Sequence, residues 1–281
     1  MSEQTDIPQD SIDKDMSTSY HTVLSIAGSD SSGGAGIQAD IKSISACGGY
    51  AASVITASTA QNTQGVRDIH PLPVVHIIKQ LEAVLDDITF KAIKIGMLHS
   101  SEVIEAVQQT LHTYNAKNIV LDPVMIATSG DKLMNDEAIE SLKAFLPHVT
   151  LITPNIPEAE LLLGQSITLE NMEDVAKKLA QKYQTSVLLK GGHLEPKDEM
   201  TDVLYNYTTQ ETTVIHNPSV KTRNTHGTGC TLSSSIATFL SKGDSLEVST
   251  TKGCAYLNRA ILEGKDKVIG HGHGAVNHFG L

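Results

Sequence analysis

The sequence has no tryptophan, and phenylalanine and tyrosine together make up only 4% of its 281 residues. Proteins that stack RNA bases on aromatic side chains, and aromatic-rich β-sandwiches, need more aromatic residues than this. Hydrophobic residues nevertheless account for 40% of the chain, and glycine occurs 21 times. This composition supplies a sizeable core of Val, Ile, Leu and Ala and is typical of an α/β protein.

Cysteine is scarce, and the three cysteines are Cys47, Cys230 and Cys254. Their irregular spacing fits neither a disulfide framework nor a CxxC zinc site, and His271 and His273 lack the further ligands of a metal site. No apolar run approaches the ~20 residues of a transmembrane helix, and the N-terminus is acidic where a signal peptide would be basic and then apolar. We therefore expect a cytoplasmic protein without a membrane partner.

Basic residues are also few, because 21 Lys and Arg stand against 32 Asp and Glu, a net charge of −11 at pH 7. Nucleic acids and anionic membranes require a basic surface, so neither is expected as a partner. The acidic balance does not exclude a small phosphorylated ligand, which a few local donors can hold. Residues 1–20 are polar, acidic and aperiodic, which predicts a disordered tail before one domain at 21–281.

Beyond the tail, short apolar runs alternate with amphipathic stretches. The runs predict central strands of a covered parallel sheet at 22–27, 52–58, 91–95, 118–122, 149–153 and 186–190, and an edge hairpin at 201–207 and 211–216. Helical patterns occupy 35–46, 74–86, 101–114, 135–145, 156–164, 170–183, 228–241 and 246–262. The alternation predicts a doubly wound, mostly parallel sheet with helices on both faces and ligands at the carboxyl ends of its strands.

A glycine-rich loop, GSDSSGGAG at 28–36, lies between the first strand and the first helix. Its backbone N–H groups can approach a polar ligand closely. The segment 34–39 fits the G-x-G-x-x-A dinucleotide pattern, but its glycines come well after the strand, and the second strand ends without an acid for a ribose. A P-loop is excluded, because Gly33 is followed by Gly-Ala and not by Lys-Ser/Thr. A tight turn without a ligand is the remaining alternative.

The segment NTHGTGC at 224–230 comes directly before a predicted helix. The N–H groups that can converge there on an anion, with the helix dipole behind them, are those of Gly227, Thr228, Gly229 and Cys230. A cysteine in the first helical turn is expected to have a lowered pKa, so the thiolate of Cys230 could act as a base. The alternative is a glycine turn with a small buried cysteine. His226 either points at phosphate or faces away.

Polar residues stand at the ends of three successive predicted strands, where a doubly wound sheet places its chemistry. They are Asp122 after the fourth strand, Asn155 and Glu158 after the fifth, and Lys190 at the end of the sixth. Two carboxylates suit Mg²⁺ held through water, and an ammonium suits a phosphate. We therefore expect Asp122 and Glu158 to position Mg²⁺, and Lys190 and Asn155 to bind a nucleotide. Asp122 and Asn155 could instead be turn or cap residues.

Together these motifs resemble the ribokinase-like small-molecule kinases. Thr222–Cys230 is similar to their Asp-Thr-x-Gly-Ala-Gly-Asp motif, with Asn224 at the first Asp and Cys230 at the last, and Asn155–Glu158 is similar to their N-x-x-E motif. A cysteine as the base is typical of the branch that holds hydroxymethylpyrimidine and phosphomethylpyrimidine kinases and related pyridoxal kinases. The resemblance extends from about residue 22 to residue 281, through segments such as KIGML (94–98), LDPVM (121–125) and LLKGGH (188–193).

The resemblance implies a ribokinase-like fold without a large lid, a homodimer, and two ATP- and Mg²⁺-dependent transfers of thiamine synthesis. The first transfer makes the monophosphate of 4-amino-5-hydroxymethyl-2-methylpyrimidine, and the second makes the diphosphate. The resemblance also places Gly28, Met97 and Val124 against the pyrimidine. Gln61 offers a donor and an acceptor to an aminopyrimidine edge, where branch members that favour pyridoxal tend to have Met. A pyridoxal kinase is the main alternative, followed by a non-catalytic vitamin- or nucleotide-binding regulator and a dinucleotide oxidoreductase.

Overall fold

The computed structural model describes residues 19–125, 134–192, 194 and 198–279. The tail predicted at 1–20 lies outside the described residues apart from Ser19 and Tyr20, so it stays a prediction. The strands of the described part are β1 (Thr22–Asp30), β2 (Tyr50–Asn62), β3 (Gly65–Pro71), β4 (Ala92–Ile95), β5 (Ile119–Leu121), β6 (Leu151–Ile152), β7 (Ser186–Lys190), β8 (Glu199–Asn206) and β9 (Glu211–Pro218).

The helices of the same part are α1 (Gly36–Ala46), α2 (Val74–Leu85), α3 (Ser101–Thr113), α4 (Asp136–Phe145), α5 (Ile156–Leu163), α6 (Met172–Tyr183), α7 (Thr228–Ser241) and α8 (Leu246–Gly264). They coincide with the predicted helical segments to within a few residues, and the apolar periodicity is strongest in α2 and α6. None of these helices is both long enough and apolar enough to cross a membrane.

The strands form a nine-stranded sheet in the order β3-β2-β1-β4-β5-β6-β7-β8-β9. The run from β2 to β7 is parallel, whereas β3, β8 and β9 pair antiparallel with their neighbours. The predicted doubly wound, mostly parallel sheet and its edge hairpin β8–β9 are confirmed. Since β2 and β4 flank β1 on opposite sides, the strand order reverses at β1. Such a switch point opens a crevice at the carboxyl end of the sheet.

β3 was not predicted from the sequence. Its residues GVRDIHP are mostly exposed or half-buried, so the segment shows no apolar run. It pairs antiparallel with the end of β2 and forms an edge hairpin there. The hairpin extends the sheet on the side of the switch point, where Gln61 and Val66 contribute to the cavity described below.

Helices cover both faces of the sheet, as the strand composition predicts. Consecutive strand residues face opposite sides, so Val23 packs in one hydrophobic cluster and Leu24 in another. The cluster with Val23 includes α1, α7 and α8, while the cluster with Leu24 includes α2 to α6. As a result α1 and α7 lie side by side on the same face, and both begin at the carboxyl end of the strands.

Candidate active site

A cavity of about 700 Å³ opens at the carboxyl ends of the strands, beside the switch point. The first turns of α1 and α7, the β2–β3 hairpin and the ends of β5 and β7 line it. Every residue predicted for the site lies in its wall, namely Gly28, Gln61, Met97, Asp122, Val124, Asn155, Glu158, Lys190, Gly227, Thr228, Gly229 and Cys230. The structure thus brings the predicted residues together, and the individual roles stay predictions.

The anion-binding loop is built around Gly227, the N-cap residue of α7. Gly227 has a φ of 80°, and a Cβ there would lie 1.8 Å from the carbonyl oxygen of Gly34. Both the left-handed conformation and the close approach require glycine. The N–H of Thr228 donates to the Thr225 carbonyl at 3.3 Å. The Thr228 N–H is therefore partly engaged, whereas the N–H groups of Gly229 and Cys230, in the first turn of α7, have no partner within the helix.

Cys230 lies half-buried in the first turn of α7, in the cavity wall that also includes Gly36 of α1. Burial raises the pKa of the Cys230 thiol to about 11, although Lys94 opposes the shift. The carboxylates of Asp40 and Asp122 raise the pKa further. The lowered pKa expected from the sequence is therefore wrong, because loss of water around the sulfur outweighs the helix terminus and the nearby ammonium.

Asp122, Lys190 and Glu158 meet at the centre of the cavity wall. The Lys190 ammonium donates to Asp122 Oδ1 at 3.0 Å, and the Thr153 hydroxyl donates to the same oxygen at 3.1 Å. A Cβ on Gly229 would lie 2.8 Å from Asp122 Oδ2, so the start of α7 faces this carboxylate. The arrangement places a cation, a carboxylate and a helix N-terminus against one point, as phosphoryl transfer requires.

Glu158 is 3% exposed, and its buried position raises its pKa, with the Asp122 charge adding to the effect and Lys190 opposing it. One ammonium thus faces two buried carboxylates, and a divalent cation would neutralise the excess negative charge. The oxygen donors fit Mg²⁺. Among the described residues no group of three His, Cys, Asp or Glu side chains could hold a metal ion. Mg²⁺ bound here would therefore take most of its ligands from water and phosphate.

Asn155 and Glu158 form a capping box at the start of α5. The Asn155 side chain accepts from the Glu158 N–H, and Glu158 Oε2 accepts from the Asn155 N–H, both at 2.9 Å. The cap interpretation raised from the sequence therefore accounts for this pair locally. The capping box also orients the Glu158 carboxylate. A direct contact of Asn155 with a nucleotide stays a prediction.

The residues predicted to bind the pyrimidine lie at the ends of neighbouring strands β2, β1, β4 and β5. Gly28 and Met97 are in close contact, since a Cβ on Gly28 would lie 2.7 Å from the Met97 methyl group. Gln61 is the last residue but one of the long strand β2, and its Oε1 accepts from the Thr59 hydroxyl at 3.2 Å. Gly28, Met97 and Val124 give one end of the cavity apolar surface, to which Gln61 adds an amide.

The other end of the cavity was missed by sequence reasoning. Val220, which follows β9, and Leu257 and Ile261 of α8 line it with apolar surface suited to a flat ring. Along the sheet, the cavity therefore has three parts. An apolar region with an amide comes first, a charged region with Asp122, Glu158 and Lys190 follows, and a second apolar region comes last. That order fits an acceptor, a polyphosphate and a nucleobase placed in line.

His226 faces away from the anion-binding point. Its Nε2 lies 2.8 Å from Asp30 Oδ2, and Asp30 also accepts the N–H groups of Ser32, Gly34 and Ala35. Burial opposes ionisation of Asp30, but hydrogen bonds from His226 and Ser32 outweigh it and hold its pKa well below its usual range. The pair ties the glycine-rich loop to the loop before α7.

Asn224, at the position of the first Asp in the kinase motif, also has a structural role. Its side-chain amide donates to the carbonyl groups of Gly264, Lys265 and Lys267. These bonds fasten the loop before α7 to the end of α8, so both sides of the anion-binding loop are fixed.

The sequence model of phosphomethylpyrimidine kinase matches residues 30–277. The chain belongs to the phosphomethylpyrimidine kinase family. A hydroxymethylpyrimidine/phosphomethylpyrimidine kinase of Rhizobium meliloti is 44% identical over 261 residues, which cover 91% of this chain and 96% of that protein. A thiamine biosynthesis bifunctional protein of Geobacter sulfurreducens is 45% identical over 260 residues, or 92% of this chain. The chain spans about half the length of that relative, 52%.

Solved structures of a phosphomethylpyrimidine kinase and of a pyridoxal kinase are similar to this chain. The phosphomethylpyrimidine kinase of Clostridium difficile is 43% identical with a TM-score of 0.75, over 85% of this chain and 99% of that one. An ADP complex of Bacillus subtilis pyridoxal kinase is 32% identical with a TM-score of 0.84, over 92% of this chain and 98% of that one. The predicted ribokinase-like fold is confirmed. Membership of a kinase family implies that ATP is the phosphoryl donor.

Proposed function

We propose that the protein phosphorylates 4-amino-5-hydroxymethyl-2-methylpyrimidine to its monophosphate and then to its diphosphate, with ATP and Mg²⁺. The observation that carries the proposal is the Gln61 amide in the same cavity as the anion-binding turn of α7. The amide presents the donor and acceptor that an aminopyrimidine edge needs. Relatives named for this activity, at 44% and 40% identity, support the proposal. We further propose a homodimer in the cytoplasm, as the family resemblance implies.

In the first transfer the acceptor is an alcohol, which needs a base. The Cys230 sulfur, once deprotonated, accepts the hydroxyl proton while the alcohol oxygen bonds to the γ-phosphorus of ATP. The bond from that phosphorus to the β–γ bridging oxygen breaks, and ADP leaves with its electron pair. The N–H groups of Gly229 and Cys230 stabilise the charge on the transferred group.

In the second transfer the acceptor is a phosphate oxygen. A phosphate monoester has its second pKa near 6, so this oxygen is largely ionised at neutral pH. A base is then unnecessary, while the requirements for positioning and charge neutralisation remain the same. Cys230 therefore matters chemically for the first transfer, and the anion-binding loop matters for both.

Asp122 and Glu158 would hold Mg²⁺, and the Lys190 ammonium, 3.0 Å from Asp122 Oδ1, would bind a phosphate oxygen. Mg²⁺, when bound, neutralises negative charge on the phosphates. The capping box keeps the Glu158 carboxylate in place. Asn155, next to Lys190 in the cavity wall, would support the same nucleotide.

The test is product analysis by mass spectrometry after incubation with ATP, Mg²⁺ and either the pyrimidine alcohol or pyridoxal. We expect mono- and diphosphates of the pyrimidine. Pyridoxal phosphate as the sole product would overturn the proposed substrate and retain the kinase chemistry. Absence of any phosphorylated product, with ATP intact, would favour a binding protein.

Pyridoxal kinase remains the second candidate, since a solved pyridoxal kinase shares the fold, with 32% identity and a TM-score of 0.84. Gln61→Met removes two hydrogen bonds to the aminopyrimidine edge. We expect the ratio of kcat/KM for the pyrimidine to that for pyridoxal to fall at least about tenfold. Gln64→Met is the matched control, because Gln64 is an exposed residue of the same hairpin. An unchanged ratio in Gln61→Met would contradict the role of Gln61.

A further inference from the structure

A buried ion pair, which the mechanism above does not use, joins β4 to α1. The Lys94 ammonium is 2.9 and 2.8 Å from the two carboxylate oxygens of Asp40, and both side chains are fully buried. Lys94 occupies the middle of β4, between two buried isoleucines, and it also forms part of the cavity wall. Burying two charges is costly, so a buried pair whose lysine lines the cavity calls for a functional explanation.

A hydrogen bond between α1 and α7 connects this pair to the helix that carries Cys230. Gly36 and Asp40 are one turn apart on α1, and Cys230 and Ser234 are one turn apart on α7. Gly36 and Cys230 both line the cavity, and one turn further along each helix the Ser234 hydroxyl donates to Asp40 Oδ1 at 2.7 Å. The Cys230 thiol and the Asp40 carboxylate thus lie about one helical turn apart along the contact between α1 and α7.

Asp40 is held from three elements. Besides Lys94 of β4 and Ser234 of α7, the Ser25 hydroxyl of β1 donates to Asp40 Oδ2 at 2.6 Å. A carboxylate with this many donors has little freedom to move, so it fixes the ammonium of Lys94 at one place.

Four charged side chains from different elements act electrostatically with Cys230. Lys94 of β4 is the ammonium that favours the thiolate most, whereas Asp40 of α1 and Asp122 after β5 disfavour it. Lys190 of β7 also interacts with the sulfur charge. Lys190 is already paired with Asp122 and would bind phosphate. Lys94 is likewise paired, with Asp40, but it has no assigned part in phosphate binding, so its effect on the thiolate is the one that the mechanism above has not used.

We propose that Lys94, fixed by Asp40, is a positioning residue that stabilises the deprotonated sulfur of Cys230 for the first phosphoryl transfer. The inference rests on the proposed function, because it takes the Cys230 sulfur as the proton acceptor. Asp40 contributes by holding the ammonium and by joining it, through Ser234, to the helix that carries the sulfur. In this role Lys94 acts through Cys230 and needs no contact with the acceptor or the phosphates.

The test follows alkylation of Cys230 by iodoacetamide between pH 7 and 10.5, with the Cys230 peptide quantified by mass spectrometry. This readout separates Cys230 from buried Cys47 and Cys254 and needs no kinase activity. At pH 8.5 we expect Lys94→Met to slow alkylation at least about tenfold, after allowance for the higher nucleophilicity of a more basic thiolate. Lys94→Arg keeps the cation, and we expect its rate to stay within about twofold of the unchanged protein.

The double variant Lys94→Met/Asp40→Asn is included in case Lys94→Met fails to fold, because it removes both members of the ion pair and leaves no unpaired charge buried. The favourable effect of Lys94 on the thiolate exceeds the unfavourable effect of Asp40. We therefore expect alkylation about threefold slower than in the unchanged protein, between that protein and Lys94→Met. Lys242→Met is the matched control, because Lys242 follows the far end of α7, and it should leave alkylation of Cys230 unchanged.

Equal alkylation profiles in folded Lys94→Met, the double variant and the unchanged protein would overturn the inference. A uniform slowing that includes Lys94→Arg would also overturn it, because a packing role predicts that pattern and a charge role does not. Failure of the proposed function would be seen separately, as a missing product in the kinase assay, while the order of alkylation rates stayed as expected.

Discussion

The pH dependence of the two transfers offers a direct test of the role of Cys230. Burial raises the pKa of its thiol to about 11, so the thiolate fraction is about 10⁻⁴ at pH 7.0 and about 0.03 at pH 9.5. If the thiolate accepts the alcohol proton, kcat/KM for the first transfer rises about 300-fold over this range, close to tenfold per pH unit. The second transfer uses an acceptor that is already ionised above pH 7, so its kcat/KM stays nearly constant.

The assay is a coupled ADP-release measurement at saturating ATP and Mg²⁺, started separately with the pyrimidine alcohol and with its monophosphate. The second substrate is an internal control, because any loss of ATP binding, Mg²⁺ binding or folding at high pH affects both transfers. Cys230→Ser should lose most of the first transfer together with its pH slope, and should retain the second transfer within about tenfold.

Parallel pH profiles for the two transfers would refute this reasoning, as would a first transfer that is independent of pH between 7.0 and 9.5. Equal losses of both transfers in folded Cys230→Ser would show that the residue acts through the shape of the anion-binding loop. In either case proton acceptance would have to be assigned to another group.

Three further predictions concern stability and metal binding. Burial, assisted by Lys42, lowers the pKa of His278 from 6.5 to about 4. The unfolded chain therefore binds more protons than the folded one below about pH 6.5, and urea unfolding should show a loss of about 2 kcal/mol from pH 7.5 to 5, reduced in His278→Asn. Glu158→Gln retains the capping box, so its melting temperature should change little, while the Mg²⁺ concentration for half-maximal activity should rise at least about tenfold. An unchanged Mg²⁺ requirement would remove Glu158 from the metal site. Gly227→Ala places a Cβ 1.8 Å from the Gly34 carbonyl oxygen at a φ of 80°, and urea unfolding should show a loss of at least about 2 kcal/mol.

The fold could be predicted from the sequence because its signals are local. Apolar runs of strand length and amphipathic stretches of helix length alternate along the chain, and this alternation leads to a parallel sheet covered on both faces. β3 escaped prediction for the same reason, since its half-exposed residues GVRDIHP carry no such signal. Its pairing depends on the end of β2, which provides the partner strand.

The candidate site could be predicted for a geometric reason. The carboxyl ends of parallel strands meet at one edge of a sheet, so polar residues at the ends of several strands converge, as Asp122, Glu158 and Lys190 do. A lysine within the apolar segment KAIKI was a signal for a further buried charge, but its partner could not be found. Asp40 is 54 residues away from Lys94 and is placed by a different element.

By itself, the sequence determined which strand ends carry polar residues, where glycines lie at the turns and which family the chain resembles. All three depend on neighbouring residues or on motifs. Only the tertiary structure decided the proton affinity of Cys230 and the direction of His226. The pKa of the Cys230 thiol depends on its burial and on charges from α1, from β4 and from the residue after β5. Together they raise the pKa, whereas the position of the cysteine at the start of a helix led us to expect a lower one. His226 turns toward Asp30, 196 residues earlier, because folding places that carboxylate beside it.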